Sequence, residues 1–244
     1  SDLMPSDILG TSIFNLKSSE FEFKKGPIFS NLILIDEINR APAKTQAALF
    51  EVMEERQITI DGSAYQLDAP FLVIATQNPI EQEGTYRLPE AQLDRFLFKI
   101  AVDYPKLNEE ILIIQREHLL ENHGKLEAIK SVLSALEIKQ YQALIKQIRV
   151  EQNLLEYIAR IVVNTRENAF LYLGASPRAS IAILNAAKGF AAIRGRDFVT
   201  PEDIKEAAIP VLQHRVIVAP EREMEGITSS EIIKQNIQTV EIPR

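Results

Sequence analysis

The sequence of 244 residues contains no cysteine, no tryptophan and only nine glycines. Average glycine usage of about 7% would give roughly 17 glycines in a chain of this length. The two closest glycines, Gly189 and Gly195, are six residues apart. The phosphate-binding fingerprints G-x-G-x-x-G and G-x-x-x-x-G-K-[S/T] both require closer spacing. These residues therefore contain no glycine-rich loop that could cradle a phosphate.

Other absences narrow the class of protein. The lack of cysteine excludes disulfides, thiolate nucleophiles and cysteine-ligated zinc, and is typical of a cytoplasmic protein. Acidic residues outnumber basic ones, 34 to 27, whereas nucleic-acid binding depends on clustered lysine and arginine. No apolar run approaches the ~18 residues of a membrane helix, and the N-terminus does not resemble a signal peptide. We therefore expect a cytoplasmic protein with no nucleic-acid partner and no membrane span.

Short apolar runs alternate with turn signals up to residue 104. Runs of strand length such as Leu32–Ile35 predict buried strands, and Asp61–Gly62 predicts a hairpin turn. Strands separated by a helix favour an open α/β sheet. The predicted strands are Leu32–Ile35, Gln57–Ile60, Ser63–Leu67, Phe71–Ala75 and Phe96–Val102, and the predicted helix is Ala41–Glu55.

From residue 105 onward the pattern is almost entirely helical. Thr200–Asp203 combines an N-cap, a proline at the first helical position and acids in the first turn, and Thr228 with Glu231 forms a capping-box pattern. We therefore expect an α/β domain over residues 1–104 and an all-α domain over residues 105–244. The predicted helices are Asn108–Glu121, Ile138–Gln147, Glu151–Thr165, Pro177–Ile193, Pro201–His214 and Ser229–Thr239.

Asp36 and Glu37 directly follow the predicted strand Leu32–Ile35. Open α/β sheets bind ligands at the carboxyl ends of their strands, and successive side chains point in opposite directions, so the two acids should have different roles. One can hold Mg²⁺, which prefers carboxylate, water and phosphate oxygens. The other can orient and deprotonate a water for in-line attack on phosphorus. The alternative is an acidic pair that only caps the strand or opens a helix.

Asn78 follows the next apolar strand, Phe71–Ala75. A neutral amide at a strand end can hydrogen-bond a phosphate oxygen and a water without adding charge. The alternative is a simple turn, because Asn-Pro dipeptides, here Asn78–Pro79, commonly initiate turns.

Two arginines are further candidates. Arg95 ends a short helical stretch, where it can pair with Asp94 or point outward to complete a neighbouring subunit's phosphate site as an arginine finger. Arg178 lies in the first turn of a predicted helix, a position that the helix dipole makes unfavourable for a cation. Such a position indicates an anionic ligand, with a solvated arginine as the alternative.

In their order along the chain, these motifs resemble those of AAA+ ATPases of the MoxR family. The resemblance is closest in Gly26–Phe96, continues through Ser176–Ser180 and Thr200–Ile204, and so covers nearly the whole chain. It implies a three-layer αβα core of the AAA+ type, incomplete in these residues, followed by an all-α lid domain. It also implies ATP and Mg²⁺ as cofactors.

The resemblance assigns a role to each candidate. Asp36 and Glu37 match the Walker B pair, with Asp36 on the magnesium side and Glu37 as the catalytic residue that activates water. Asn78 matches the sensor 1 residue at the γ-phosphate, and Arg95 matches the arginine finger. Arg178 matches the sensor 2 arginine of the lid, and whether it acts in its own subunit or in a neighbour stays open because the lid is displaced in this clade.

Further segments also match the family. Leu3–Phe29 resembles the insertion within helix 2 that marks this clade, and Gln57–Leu67 resembles its pre-sensor 1 hairpin. Arg40 and Arg56 are candidate interface arginines, with ordinary surface residues as the alternative.

The family's Walker A loop, first two strands and first helix have no counterpart in these residues. Because the first strand is central in the AAA+ sheet, we expect residues 32–35, 71–75 and 96–102 not to form one continuous sheet, which would leave backbone groups unpaired. We therefore expect the chain to belong to a longer protein, and to fold poorly and lack ATPase activity alone.

The resemblance implies an ATP-hydrolysing, chaperone-like ATPase that remodels or matures client proteins. It implies a homo-oligomeric, hexameric ring in which Arg95 acts on a neighbour's nucleotide, and it implies client proteins and a von Willebrand factor A-type protein as partners. The alternative is a non-catalytic assembly or adaptor module, because no Walker A sequence is present.

Overall fold

The computed structural model describes residues 4–17, 19–60, 62–78, 86, 88–119 and 130–242. Its helices are α1 (Pro5–Leu9), α2 (Ala43–Glu55), α3 (Glu90–Leu93), α4 (Leu107–Leu119), α5 (Ala135–Lys146), α6 (Gln152–Glu167), α7 (Pro177–Ile193), α8 (Pro201–Leu212), α9 (Pro220–Met224) and α10 (Ser229–Thr239), with a short 3₁₀ helix over Ile38–Arg40. Its strands are β1 (Gly10–Asn15), β2 (Glu20–Lys25), β3 (Leu32–Ile35), β4 (Gln57–Ile60), β5 (Ser63–Gln66), β6 (Leu72–Ala75), β7 (Leu171–Leu173) and β8 (Ile217–Val218).

The two strands that precede the acidic and amide motifs are direct neighbours. β3 and β6 pair in parallel, with Leu32 opposite Leu72 and Ile35 opposite Ala75. One face of this pair packs on the cluster that contains Leu49 and Val52 of α2. Because both strands run the same way, their carboxyl ends, and the residues that follow them, meet at one edge. The other face presents exposed apolar side chains, those of Leu32, Leu34, Leu72 and Ile74.

The strand predicted over Phe96–Val102 is wrong. This segment is irregular, and its backbone bonds to the helical part instead. The Lys99 N–H donates to the carbonyl of Pro210 at 2.9 Å, and the amide of Gln213 donates to the carbonyl of Lys99. The Phe98 ring stacks on Phe190 with centroids 6.3 Å apart. Residues 96–102 have the composition of a strand but are irregular, because their backbone groups form hydrogen bonds with the helical part and the Phe98 ring packs on a helix.

The N-terminal segment contains an antiparallel hairpin that the sequence did not predict. β1 and β2 pair from Gly10 with Lys25 to Asn15 with Glu20. Gly10 has φ +105°, and a Cβ there would lie 2.3 Å from the carbonyl oxygen of Lys24, so the start of the hairpin requires glycine. Near the turn, Phe14 and Phe21 pack edge to face with ring centroids 5.2 Å apart. Leu3 and Ser18 lie outside the described residues.

The hairpin that the sequence predicted over residues 57–67 is present. β4 and β5 pair antiparallel from Gln57 with Gln66 to Ile60 with Ser63. Gly62 has φ +78°, the left-handed conformation that tight hairpin turns require. Asp61, the other predicted turn residue, lies outside the described residues.

The helical part has its own core. Helices α6, α7, α8 and α10 each contribute a fully buried isoleucine: Ile161, Ile183, Ile204 and Ile233. The predicted capping box at Thr228 is present, since its side chain accepts from the Glu231 N–H. This part also departs from the all-helical expectation, because β7 and β8 form a short antiparallel ladder. Within the described ranges, none of the helices combines the length and the apolar character that crossing a membrane demands.

Candidate functional site

Thr76 joins the ends of β3 and β6. Its hydroxyl donates to Oδ1 of Asp36 at 2.6 Å and accepts the backbone N–H of Glu37 at 2.8 Å. Its backbone continues the parallel ladder, with its N–H donating to Ile35 and its carbonyl accepting from Ile38. Asn78 follows two residues after Thr76 on the same strand end. One edge of the sheet therefore brings the acidic pair to Thr76, with Asn78 shortly beyond it.

Glu37 has an unusual backbone conformation. Its φ of 49° and ψ of 55° are left-handed, and such a conformation costs a non-glycine residue about 1–3 kcal/mol. The Glu37 carboxylate lies 3.0 Å from the Nε of Arg40, and both side chains are partly exposed, at 31% and 38%. Arg40, predicted to be at an interface or on an ordinary surface, thus pairs with the candidate water-activating acid.

The donor set at Asp36 fits Mg²⁺. Asp36 and Thr76 offer a carboxylate and a hydroxyl, both hard oxygen donors of the kind this ion prefers. No group of three or more histidine, cysteine, aspartate or glutamate residues in the described part of the chain could hold a metal alone. Proteins usually hold Mg²⁺ through one or two carboxylates together with waters and substrate phosphates.

Arg95 and Arg178 meet on a third residue, Glu54. Nη2 of Arg95 lies 2.7 Å from one oxygen of the Glu54 carboxylate, and Nη2 of Arg178 lies 2.8 Å from the other. Arg95 also donates from Nη1 to the carbonyl of Phe50 at 2.7 Å. Arg95 therefore pairs with Glu54 and not with Asp94, the alternative considered from the sequence.

Asp94 instead connects the α/β part to the helical part. It accepts from Nε of Arg215 at 2.8 Å and from the Ser176 hydroxyl at 2.9 Å. Arg215 is almost fully buried, with 3% of its side chain exposed, and it also donates to the carbonyls of Asp94, Phe96, Leu97 and Val211. Burial lowers the pKa of Arg215, while the bond to Asp94 raises it.

His214, the neighbour of Arg215, is buried in the same junction. Its Nε2 lies 3.0 Å from the carbonyl oxygen of Phe96, and its Nδ1 is buried without a hydrogen-bond partner among the described residues. Burial, followed by the nearby charge of Arg215, lowers the pKa of His214 to about 4. The ring is therefore neutral at pH 7.

The two groups of candidate residues lie at opposite ends of α2. The 3₁₀ helix that follows Glu37 leads into the start of α2 at Ala43, and Glu54 is one residue before its end. Eleven residues of α-helix span about 16 Å. The structure thus assembles Asp36, Glu37 and Thr76 in one place and Arg95 with Arg178 in another.

A cavity of about 210 Å³ lies beside Arg95. Three of the side chains that line it are carboxylates, and one is the guanidinium of Arg95. Its lining residues are Ala47, Phe50, Glu51, Glu54, Glu55, Gln92 and Arg95.

Several of these residues were not singled out from the sequence. Glu54 stands among other acids at the end of α2, and no local signal distinguishes it from them. Arg215 had a usable signal, since it is a charged residue directly before the apolar run Val216–Val218. Arg56, the other candidate interface arginine, donates to the carbonyl of Phe71 at 2.9 Å and stacks over its ring.

Comparison with known proteins agrees with this fold. The family model for the ATPase family associated with various cellular activities (AAA) matches residues 1–98, and the AAA lid domain model matches residues 163–236. A crystal structure of a candidate ATPase from Cytophaga hutchinsonii superimposes with a TM-score of 0.89 at 43% identity, covering all of this chain and 76% of that one. These matches place the chain among the AAA+ ATPases with a helical lid.

Sequence relatives specify the family within that class. The uncharacterized protein YeaC of Bacillus subtilis is 45% identical over 242 residues, which are 99% of this chain and 75% of YeaC. The chaperone MoxR1 of Mycobacterium tuberculosis is 42% identical over 252 residues, covering 100% of this chain and 66% of MoxR1. The chain belongs to the MoxR family of AAA+ ATPases.

Proposed function

We propose that the full-length natural protein is a Mg·ATP-hydrolysing, chaperone-like ATPase that remodels or matures client proteins as a homo-oligomeric ring. The observation that carries the proposal is the Thr76 hydroxyl, which ties Asp36 and the Glu37 backbone to the edge where β3 and β6 end. We extend it to a hexameric ring, a von Willebrand factor A-type partner and a cytoplasmic location, on family resemblance and the cysteine-free composition.

Within one subunit, each residue at the sheet edge has a proposed task. Asp36 would hold Mg²⁺, which supplies charge neutralisation on the phosphates when bound. Glu37 accepts a proton from the attacking water, and for this its carboxylate must exchange its contact with Arg40 for one with that water. Asn78 donates or accepts hydrogen bonds at the reacting phosphate without changing the charge of the site. These 244 residues supply no phosphate-cradling loop.

Between subunits, Arg95 and Arg178 are proposed to act on the neighbour's nucleotide. Closed rings are built from head-to-tail interfaces, in which one surface of a subunit meets a different surface of the next. The position of both arginines at the far end of α2 from Glu37 supports this arrangement. Since both arginines share Glu54, Arg178 is proposed to act in the neighbour's site together with Arg95. An arginine finger contributes about 10³–10⁵ in rate.

Substitution of Glu37 tests the function. In the full-length protein, Glu37→Gln should retain ATP binding and abolish turnover, because the amide cannot accept the proton of the attacking water. Nucleotide binding is measured by fluorescence titration and turnover by phosphate release. Normal turnover in this variant would remove Glu37 from the proposed role, and absence of ATP binding in the unsubstituted protein would favour the adaptor alternative.

A further inference from the structure

The carboxylate of Glu54 is shared by two cations that come from different parts of the fold. Arg95 follows α3 in the α/β part, and Arg178 lies in the first turn of α7 in the helical part. Each guanidinium uses Nη2 to contact a different oxygen of the same carboxylate, at 2.7 and 2.8 Å. At Glu54, an arginine of the α/β part and an arginine of the helical part therefore lie side by side.

Arg95 is held from two successive turns of α2. Its Nη2 contacts Glu54 and its Nη1 donates to the carbonyl of Phe50. These two α2 residues are four positions apart, so they lie on one face of the helix. Two contacts to the same face of the helix restrict the rotation of the Arg95 guanidinium. Because a guanidinium has five N–H donors, further N–H groups of Arg95 remain available to bind an anion.

Charge explains why a carboxylate is needed at this point. Two guanidinium groups close together repel each other, and an anion between them offsets that repulsion. With Glu54 in place, the three side chains carry a net charge of +1. They remain accessible to another molecule, since the side chains of Arg95, Glu54 and Arg178 are 30%, 37% and 53% exposed.

We propose that Glu54 is the positioning residue that holds Arg95 and Arg178 as one unit facing the nucleotide of the neighbouring subunit. This inference rests on the proposed ATPase function in a ring. Glu54 acts through the two arginines and does not itself contact the nucleotide. Loss of its charge lets the arginines separate, so the transition state loses both donors while ATP binding in the subunit's own site continues.

The chain offers a matched control on the same helix. Glu51 also belongs to α2 and lines the cavity beside Arg95, but it forms no ion pair within the described part of the chain. Glu51→Gln removes the same charge from the same helix without touching either arginine. A positioning role for Glu54 therefore predicts different results for two chemically identical substitutions.

The first measurement is steady-state ATP hydrolysis by the full-length protein. Glu54→Gln should lower kcat by about tenfold or more with KM for ATP changed by less than about threefold, since the lost contact acts only in the transition state. Glu51→Gln should match the unsubstituted protein. Glu54→Asp retains the charge, which keeps the fold intact, but is too short to reach both arginines and should give a kcat between the two.

The second measurement mixes subunits of two variants and tests whether turnover recovers. A purely structural defect in Glu54→Gln would not produce such a recovery. Glu54→Gln subunits retain Glu37, and Glu37→Gln subunits retain the arginine unit. Equal mixing should restore turnover to about a quarter of the unsubstituted rate, because one interface in four then combines an intact Glu37 with an intact arginine unit. Mixing Glu54→Gln with Arg95→Ala should restore nothing, because both defects lie on the same side of the interface.

Several outcomes would overturn the inference. These are an unchanged or raised kcat in Glu54→Gln, a loss of kcat in Glu51→Gln equal to that in Glu54→Gln, or recovery in the mixture with Arg95→Ala. Failure of the proposed function gives a different result: Arg95→Ala alone would then hydrolyse ATP normally, or its mixture with Glu37→Gln would stay inactive.

Discussion

The hydroxyl of Thr76 donates a hydrogen bond to Oδ1 of Asp36 at 2.6 Å, across the parallel pair β3–β6. The hydroxyl oxygen of Thr76 also accepts the backbone N–H of Glu37. One hydroxyl thus orients the side chain of the first acid and the backbone of the second. We regard this link as the main constraint on the geometry of the proposed water-activating site.

Removal of that hydroxyl should impair turnover. Thr76→Val keeps the shape of the side chain but loses both hydrogen bonds, each of which contributes about 0.5–1.5 kcal/mol. We expect kcat to fall by about tenfold, equivalent to ~1.4 kcal/mol, and the Mg²⁺ concentration for half-maximal turnover to rise. Thr76→Ser, which keeps the hydroxyl, is the control and should remain close to the unsubstituted protein. Equal Mg²⁺ dependence in the valine and serine variants would argue against a positioning role.

The junction between Asp94 and Arg215 should dominate the stability of the contact between the two parts. Asp94→Asn leaves the buried Arg215 guanidinium without its charge partner, and such losses cost about 3–5 kcal/mol. Denaturant unfolding measures the change. Asp197→Asn is the control, because its ion pair with Arg149 is 75–76% exposed and exposed pairs contribute about 0–1 kcal/mol. Similar destabilisation by both substitutions would contradict this assignment.

His214 should make the protein less stable in mild acid. Burial lowers its pKa to about 4, whereas the unfolded chain has the ordinary value of about 6.5. Between these two pH values the unfolded state binds the proton more tightly than the folded state. The free energy of unfolding therefore falls as the pH decreases from about 6.5 to about 4, and it falls no further through His214 below that pH. The loss amounts to about 3 kcal/mol at 1.36 kcal/mol for each unit of pKa difference.

The control for this pH dependence is His214→Gln, which cannot titrate. The free energy of unfolding, measured at several pH values in that range, should decrease less steeply in the variant than in the unsubstituted protein. Parallel slopes would assign the acid sensitivity to other groups, such as carboxylates, whose stabilising effect is lost at lower pH.

Local sequence patterns correctly predicted those helices and strands whose conformation depends on residues close to them in the sequence. The apolar run Leu32–Ile35 is a strand and Pro177–Ile193 is a helix, with the predicted bounds. The alternating Phe21 and Phe23 were an unused signal for strand β2. The segment 96–102 was misassigned because its composition suits a strand, and composition does not say whether a neighbouring strand is available.

In the candidate site, too, some features could be predicted from the local sequence and others could not. Asp36, Glu37 and Asn78 could be selected because each follows an apolar run, and parallel pairing of two such runs necessarily brings their ends together. The left-handed conformation of Glu37 and its contact with Arg40 had no sequence signal, since glutamate is an uncommon residue in that conformation.

The sequence by itself determined strands β3 to β6, most of the described helices, the motifs and the family, because these depend on periodicity, capping and short spacings along the chain. Only the tertiary structure decided which charges meet. Glu54 and Arg178 are 124 residues apart, and Asp94 and Arg215 are 121 apart. Ion pairs between distant residues form only after the cores have packed, since it is the packing of α2 and of the lid helices that brings these side chains within reach.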